Sequence, residues 1–132
     1  MKYFSMSELT DSATARQLGI SNTPSAEAQA NIVALTENVL DKAREAWGKP
    51  IIVNSGYRCP RLNKVVGGVS NSQHVTGEAA DITTGTKYGN KWLFNYIRDN
   101  CDYDQLIDER DYTWVHVSYK RNGVNRLDVL HQ

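Results

Sequence analysis

No stretch of this 132-residue chain approaches the roughly 20 consecutive apolar residues that a bilayer-crossing helix requires, so membrane insertion is not expected. Charge of one sign is also lacking: fifteen Lys and Arg balance fifteen Asp and Glu. With no net field and no single-sign run, nothing in the composition points to nucleic acid as a partner. Cysteine is scarce. Cys59 and Cys101 stand far apart with no metal-like spacing, which suits reduced thiols better than a disulfide framework. The first residues, MKYFSMSELTDS, have no apolar core of a secretory signal, so synthesis in the cytoplasm without export by that route is the expectation. Repeats and low-complexity tracts are missing as well. What is present is 40% hydrophobic content in a chain of ordinary domain length, enough for one core and one domain, residues 1–132.

Periodicity supplies the elements. Ser7 can cap a short helix running toward Gly19. In the segment SNTPSAEAQANIVALTENVLDKAREAWGKP, Thr23 can cap a helix with Pro24 in its first position. Ala28, Ile32, Leu35, Val39, Ala43 and Trp47 recur at spacings of three and four, up to the stop at Gly48. Pro50 to Asn54 reads as a strand, and Tyr57 to Thr76 as a long polar loop with room for one helical turn at Leu62 to Val66. Extended chain resumes at Glu78 to Thr83. A helix is expected over Lys87 to Asn100, then a hairpin from Asp104–Glu109 and Tyr112–Lys120, then a last strand around Arg126 to Leu130. Helices first and strands later predict an α+β fold, with a mainly antiparallel sheet and helices packed on one side.

Only three histidines occur, and two lie in suggestive company. His74 sits in SNSQHVTGEAAD, seven residues before Asp81. In Tyr112-Thr113-Trp114-Val115-His116-Val117-Ser118, period-two alternation turns Val115 and Val117 to one face and Trp114, His116 and Ser118 to the other. Ala79 and Asp81 share a face of their own strand. Gly77 can supply a left-handed turn that brings His74 back beside Asp81, although a straight strand would separate them. Two imidazoles and a carboxylate suit zinc with a fourth position open to water. The plainer reading of each histidine is a hydrogen-bonded residue of surface or core. His131, next to the carboxy terminus, has nothing comparable around it and is expected to be mobile and structurally neutral.

These residues carry a resemblance. Ser72-x-His74-x-x-Gly77-x-Ala79-x-Asp81 followed by Trp114-x-His116 resembles the signature of the zinc D-alanyl-D-alanine carboxypeptidase family. That family also includes phage L-alanyl-D-glutamate endopeptidases and shares a fold with hedgehog signalling domains. The likeness extends through Ser55-Gly56-Tyr57-Arg58, Leu62-Asn63, Val66-Gly67-Gly68, Gln105-Leu106-Ile107-x-Glu109 and His116-Val117-Ser118-Tyr119, most of the chain from the long helix onward. It implies a hedgehog/DD-peptidase fold, one Zn2+ per chain held by His74, Asp81 and His116, and hydrolysis of peptide bonds in peptidoglycan stem peptides. It also implies substrate binding by Arg58, Ser72 and Trp114. The expected setting is a monomer acting on the bacterial wall after release, in a phage or prophage-like context. A non-catalytic zinc-bearing binding module of the same fold is the alternative.

One branch of the family places its catalytic acid three positions before the last histidine, and Thr113 stands there. The nearest acids are Glu109 and Asp111. If the strands are joined by the four residues Arg110 to Thr113, Glu109 lies opposite Trp114 and diagonal to His116, about 7–8 Å away. A two-residue turn would instead set Glu109 about 13 Å along the strand. The first geometry makes Glu109 the catalytic residue; Asp111 is more simply a turn residue.

Overall fold

A computed structural model describes residues 1–132. Two short helices open the chain, α1 (Met6–Thr10) and α2 (Ala13–Leu18). The single helix expected from Ser7 is thus divided. Ser5 caps α1 in a reciprocal capping box with Glu8, Asp11 is extended, and Ser12 caps α2 by accepting from the Ala15 amide. Two good caps seven residues apart start two helices. Gly19 ends α2 in the left-handed conformation.

The long helix starts at Ser25 rather than Thr23, because the Ser25 hydroxyl accepts from the Ala28 amide. It runs as α3 (Ala26–Leu35), a π-helical turn (Thr36–Leu40) and α4 (Asp41–Trp47), ending at Gly48. The π turn falls where the buried Thr36 hydroxyl donates back to the Ile32 carbonyl and Asn38 donates to the Ala34 carbonyl. Such side-chain bonds compete with the ladder and widen it.

The remaining elements are β1 (Ile52–Ser55), α5 (Pro60–Val65), β2 (Ala79–Thr83), α6 (Lys87–Asn100), β3 (Gln105–Glu109), β4 (Trp114–Ser118) and β5 (Asp128–His131). The strands form one sheet in the order β1-β2-β4-β3-β5. Its first three pairings are antiparallel; β3 and β5 are parallel. This is the α+β architecture expected.

Cross-strand register sorts the two faces of the sheet. Ala80, Ile82, Leu106, Val115 and Val117 lie on the core face and join Leu35, Val39, Leu93, Phe94 and Ile97 from the helices in one hydrophobic cluster. Each large aliphatic fully removed from water contributes roughly 1.5–3 kcal/mol, so this face anchors the sheet. Asp81, His116 and Ile107 form a row across the other face. No helix is long and apolar enough to cross a membrane.

The β3–β4 connection is the four-residue form, with Glu109 paired to Trp114. Arg110, Asp111 and Tyr112 all adopt positive φ, from 49° to 62°. Left-handed backbone costs about 1–2 kcal/mol per non-glycine residue, so the turn needs external support. Asn90, buried on α6, donates to the Tyr112 and Thr113 carbonyls and accepts from the Thr84 amide. One helix side chain therefore fixes the turn that presents Glu109.

Candidate metal centre

His74 reaches the sheet through two glycines. Gly77 has φ of 80°, and a Cβ there would lie 2.6 Å from the Ala28 carbonyl oxygen, so both conformation and packing demand glycine. At Gly56 a Cβ would fall 2.2 Å from the Leu9 carbonyl oxygen, which is also bonded by the Tyr57 amide. Helix α1 thus presses the chain after β1 against the His74 loop. The Gly56 carbonyl accepts from His74 Nδ1 at 2.7 Å, the Arg58 amide donates to the His74 carbonyl, and the His74 amide donates to Ser72 Oγ. A proton fixed on Nδ1 leaves Nε2 as the free donor atom.

Asp81 and His116 are direct cross-strand partners on β2 and β4. Asp81 Oδ1 lies 2.9 Å from His116 Nδ1, and its Oδ2 lies 3.4 Å from His74 Nε2. One donor atom from each of the three residues falls within 4.8 Å of the others. The two imidazole rings meet nearly edge to face, with centroids 5.2 Å apart. Burial pushes the Asp81 carboxyl up, but hydrogen bonds and charge from His116 and His74 more than offset it, holding the group ionised well below its ordinary range. Such a carboxylate is ready for a cation.

The three donors open into a cleft of about 550 Å³ that also receives Arg58, Ser72 and Glu109. Burial raises the Glu109 carboxyl above its usual value, His116 opposes that, and the Asp81 charge adds to it. Arg58 is half-buried; desolvation lowers its pKa, and its Nε is buried with no hydrogen-bond partner. Asp111 points elsewhere, pairing with Lys87 at the surface. Thr113 is exposed and donates to the Arg110 carbonyl. Trp114 shares a face with Glu109 but does not line the cleft; the Arg110 guanidinium stands over its ring at 5.4 Å.

Both thiols are free. Cys59 Sγ accepts from the Leu62 amide at the start of α5, and Cys101 is buried, its thiol pushed up to about 11 by desolvation. A buried thiol held protonated in this way, as at Cys101, is not an activated nucleophile. His131 departs from the mobile terminus expected: its Nδ1 bonds Asp108, and Gln132 bonds both Asp108 and Arg110 through the backbone. Parallel pairing with β3 orders the end of the chain. The last strand begins later than expected, since Arg126 precedes it and Leu127 has φ of 54°.

Sequence reasoning gave no site role to Gln73, Gln105 and Arg126, which line one end of the cleft, or to Asp104, which pairs with Arg126 and Gln73 behind it. Gln73 was signalled by its position beside His74 and Gln105 by the block Gln105-Leu106-Ile107-x-Glu109. The others come together through sheet pairing alone.

A His-Asp-His donor set opening into a cleft on the free face of a mixed sheet defines the class: a candidate metal-dependent hydrolase. The model of the family Peptidase M15 matches residues 2–118, and the chain belongs to that family. It is also similar to the zinc D-Ala-D-Ala carboxypeptidase of Streptomyces albus G, at 46% identity over 63 residues. That match covers 47% of this chain and spans 24% of the relative's length.

Proposed function

We propose that the chain is a zinc-dependent peptidase that hydrolyses peptide bonds in the stem peptides of bacterial peptidoglycan, as a D-Ala-D-Ala carboxypeptidase or an endolysin-type endopeptidase. The observation that carries this reading is the gathering of His74, Asp81 and His116 within 4.8 Å in the cleft that also receives Glu109. The donor set fits zinc. Ligands about 2.0–2.2 Å from a tetrahedral ion stand roughly 3.3–3.6 Å apart, and His74 Nε2 and Asp81 Oδ2 are separated by 3.4 Å. Three protein donors leave a fourth corner for solvent, whereas structural zinc sites usually fill all four. When bound, zinc would act as a Lewis acid on the scissile carbonyl and make water acidic enough to attack near neutral pH.

The side chains supply the rest. Glu109 takes the proton from the attacking water and returns it to the leaving amine, and its raised pKa strengthens it as the base of the first half. Arg58 offers its unpaired Nε–H and planar fork to a substrate carboxylate or carbonyl. Ser72 Oγ accepts from His74, which leaves its own hydroxyl proton for substrate. Trp114 supports Glu109 across the hairpin rather than touching substrate.

All of these groups belong to one chain of one domain, so a monomer suffices. The setting we favour is the cell wall after release from the cytoplasm, in a phage or prophage-like context. Purified peptidoglycan incubated with the protein tests the reading by mass spectrometry of the soluble products. Fragments whose new termini identify one peptide bond, lost on chelation and restored by zinc, are expected. Full activity in metal-free protein would overturn it, as would zinc-loaded protein that binds sacculi and releases nothing.

A further inference from the structure

The cleft is built differently at its two ends. On β3 the side chains facing it are Gln105, Ile107 and Glu109. Gln105 and Glu109 are four residues apart, about 13 Å along the strand. Glu109 holds one end, and Gln105, Gln73 and Arg126 surround the other. Behind that second end lies Asp104, with no exposed surface. Its Oδ1 accepts from the Arg126 amide at 3.1 Å and from Arg126 Nε at 3.0 Å. Its Oδ2 accepts from Arg126 Nη2 at 2.9 Å and from Gln73 Nε2 at 3.0 Å. Lys120 Nζ stands 3.8 Å from Oδ1, so two cations surround a single buried anion.

This arrangement uses the guanidinium side-on. Nε and Nη2 are committed to Asp104, while Nη1 and the second hydrogen of Nη2 form a free end-on fork on a side chain still 54% exposed at the cleft wall. Arg58 follows β1 and Arg126 precedes β5, the two edges of the sheet. The metal donors on β2 and β4 and in the His74 loop stand between them. The row containing Gln105 is two residues, about 7 Å, from the row of Ile107 and His116.

We propose that Arg126 is a specificity-determining residue that receives a second carboxylate of an acidic peptide substrate, end-on and bidentate, at the Gln105 end of the cleft, about two residues from the scissile bond. The proposal rests on the peptidase reading and deepens it by naming the substrate class: a stem peptide whose glutamyl carboxylate is free rather than amidated. Asp104 and Gln73 are positioning residues. They preset the fork, and Gln73 ties it to the loop that carries His74.

Two synthetic peptides that differ only in a free or amidated glutamyl carboxylate within two residues of the scissile bond test this. Hydrolysis by the wild type and Arg126→Gln gives one readout. Calorimetric binding to the same two backgrounds carrying Glu109→Gln gives another that needs no turnover. The wild type should favour the acid over the amide by about 10–100-fold, the range of one charge-assisted bidentate bond. Arg126→Gln should bring that ratio near one through KM and Kd, with kcat for the acid within about threefold. Arg126→Lys, which keeps a charge on Asp104 but lacks the planar fork, should recover part of the ratio. A wild type that does not discriminate, an Arg126→Gln that weakens acid and amide equally, or failure of both peptides to bind would overturn the proposal. Selective binding without cleavage would refute the peptidase reading and leave the Arg126 assignment standing; cleavage without selectivity would do the reverse.

Discussion

The sheet carries two histidine–carboxylate pairs, one on each face, and only one of them is a metal centre candidate. His116 and Asp81 meet across β4 and β2 at 2.9 Å; His131 and Asp108 meet across β5 and β3. The first pair faces a cleft and has His74 as a third donor. The second lies on the core face, with the His131 ring centroid 5.5 Å from that of Phe94, and it fastens the last strand. The pairs have the same chemistry. The third donor makes the difference, delivered by the left-handed turn at Gly77, together with an open route for solvent and substrate. A histidine beside an aspartate is a latch until the fold adds another ligand.

The largest contrast between the pairs is expected from alanine substitution. His116→Ala should strip zinc from the purified chain and cut hydrolysis by at least about 10³-fold, the worth of several kcal/mol of Lewis-acid stabilisation. His131→Ala should leave zinc at one per chain. Elemental analysis beside a rate assay checks both, and equal metal loss in the two variants would erase the distinction. Glu109→Gln should retain zinc and lose about 10²–10⁴-fold in rate, separating metal binding from proton transfer.

Stability effects come next. Gly77→Ala should cost about 3 kcal/mol in urea denaturation, since left-handed strain adds to a clash with the Ala28 carbonyl. It should also weaken zinc binding, because the turn aims His74. His131→Ala should cost about 1–2 kcal/mol by leaving the buried Asp108 carboxylate without its partner. An unchanged midpoint would remove the latch.

The smallest effect is a displaced pH limb. In the proposed mechanism Glu109 acts as a base only when ionised, and burial raises its carboxyl above the ordinary 4.5. Activity should therefore fall as pH drops through that raised value, with the acid limb of kcat/KM lying above pH 4.5 and absent from the residual rate of Glu109→Gln.

Much of this was legible beforehand because it is local. Lys87–Asn100 is a helix with its expected bounds, since apolar spacing and the Thr86 cap agree. The alternation Trp114-Val115-His116-Val117 by itself assigns both faces of β4. The four-residue connection was one of two open geometries; Asn90, 22 residues from Tyr112, selects it, and no short-range pattern shows that. Asp104 and Arg126 escaped for the same reason: their pairing exists only once β3 and β5 lie parallel. The helix starts at Ser5, Ser12 and Ser25 differ from those expected because neighbouring Ser and Thr residues can all cap, and only the backbone decides which one does.

The central claim is most directly tested by diffraction from zinc-soaked crystals at the zinc absorption edge. The account expects one anomalous peak per chain, about 2.0–2.2 Å from His74 Nε2, His116 Nδ1 and an Asp81 oxygen, with a non-protein atom as fourth ligand. A peak at another site, a fourth protein ligand, or no peak near these three side chains would contradict it.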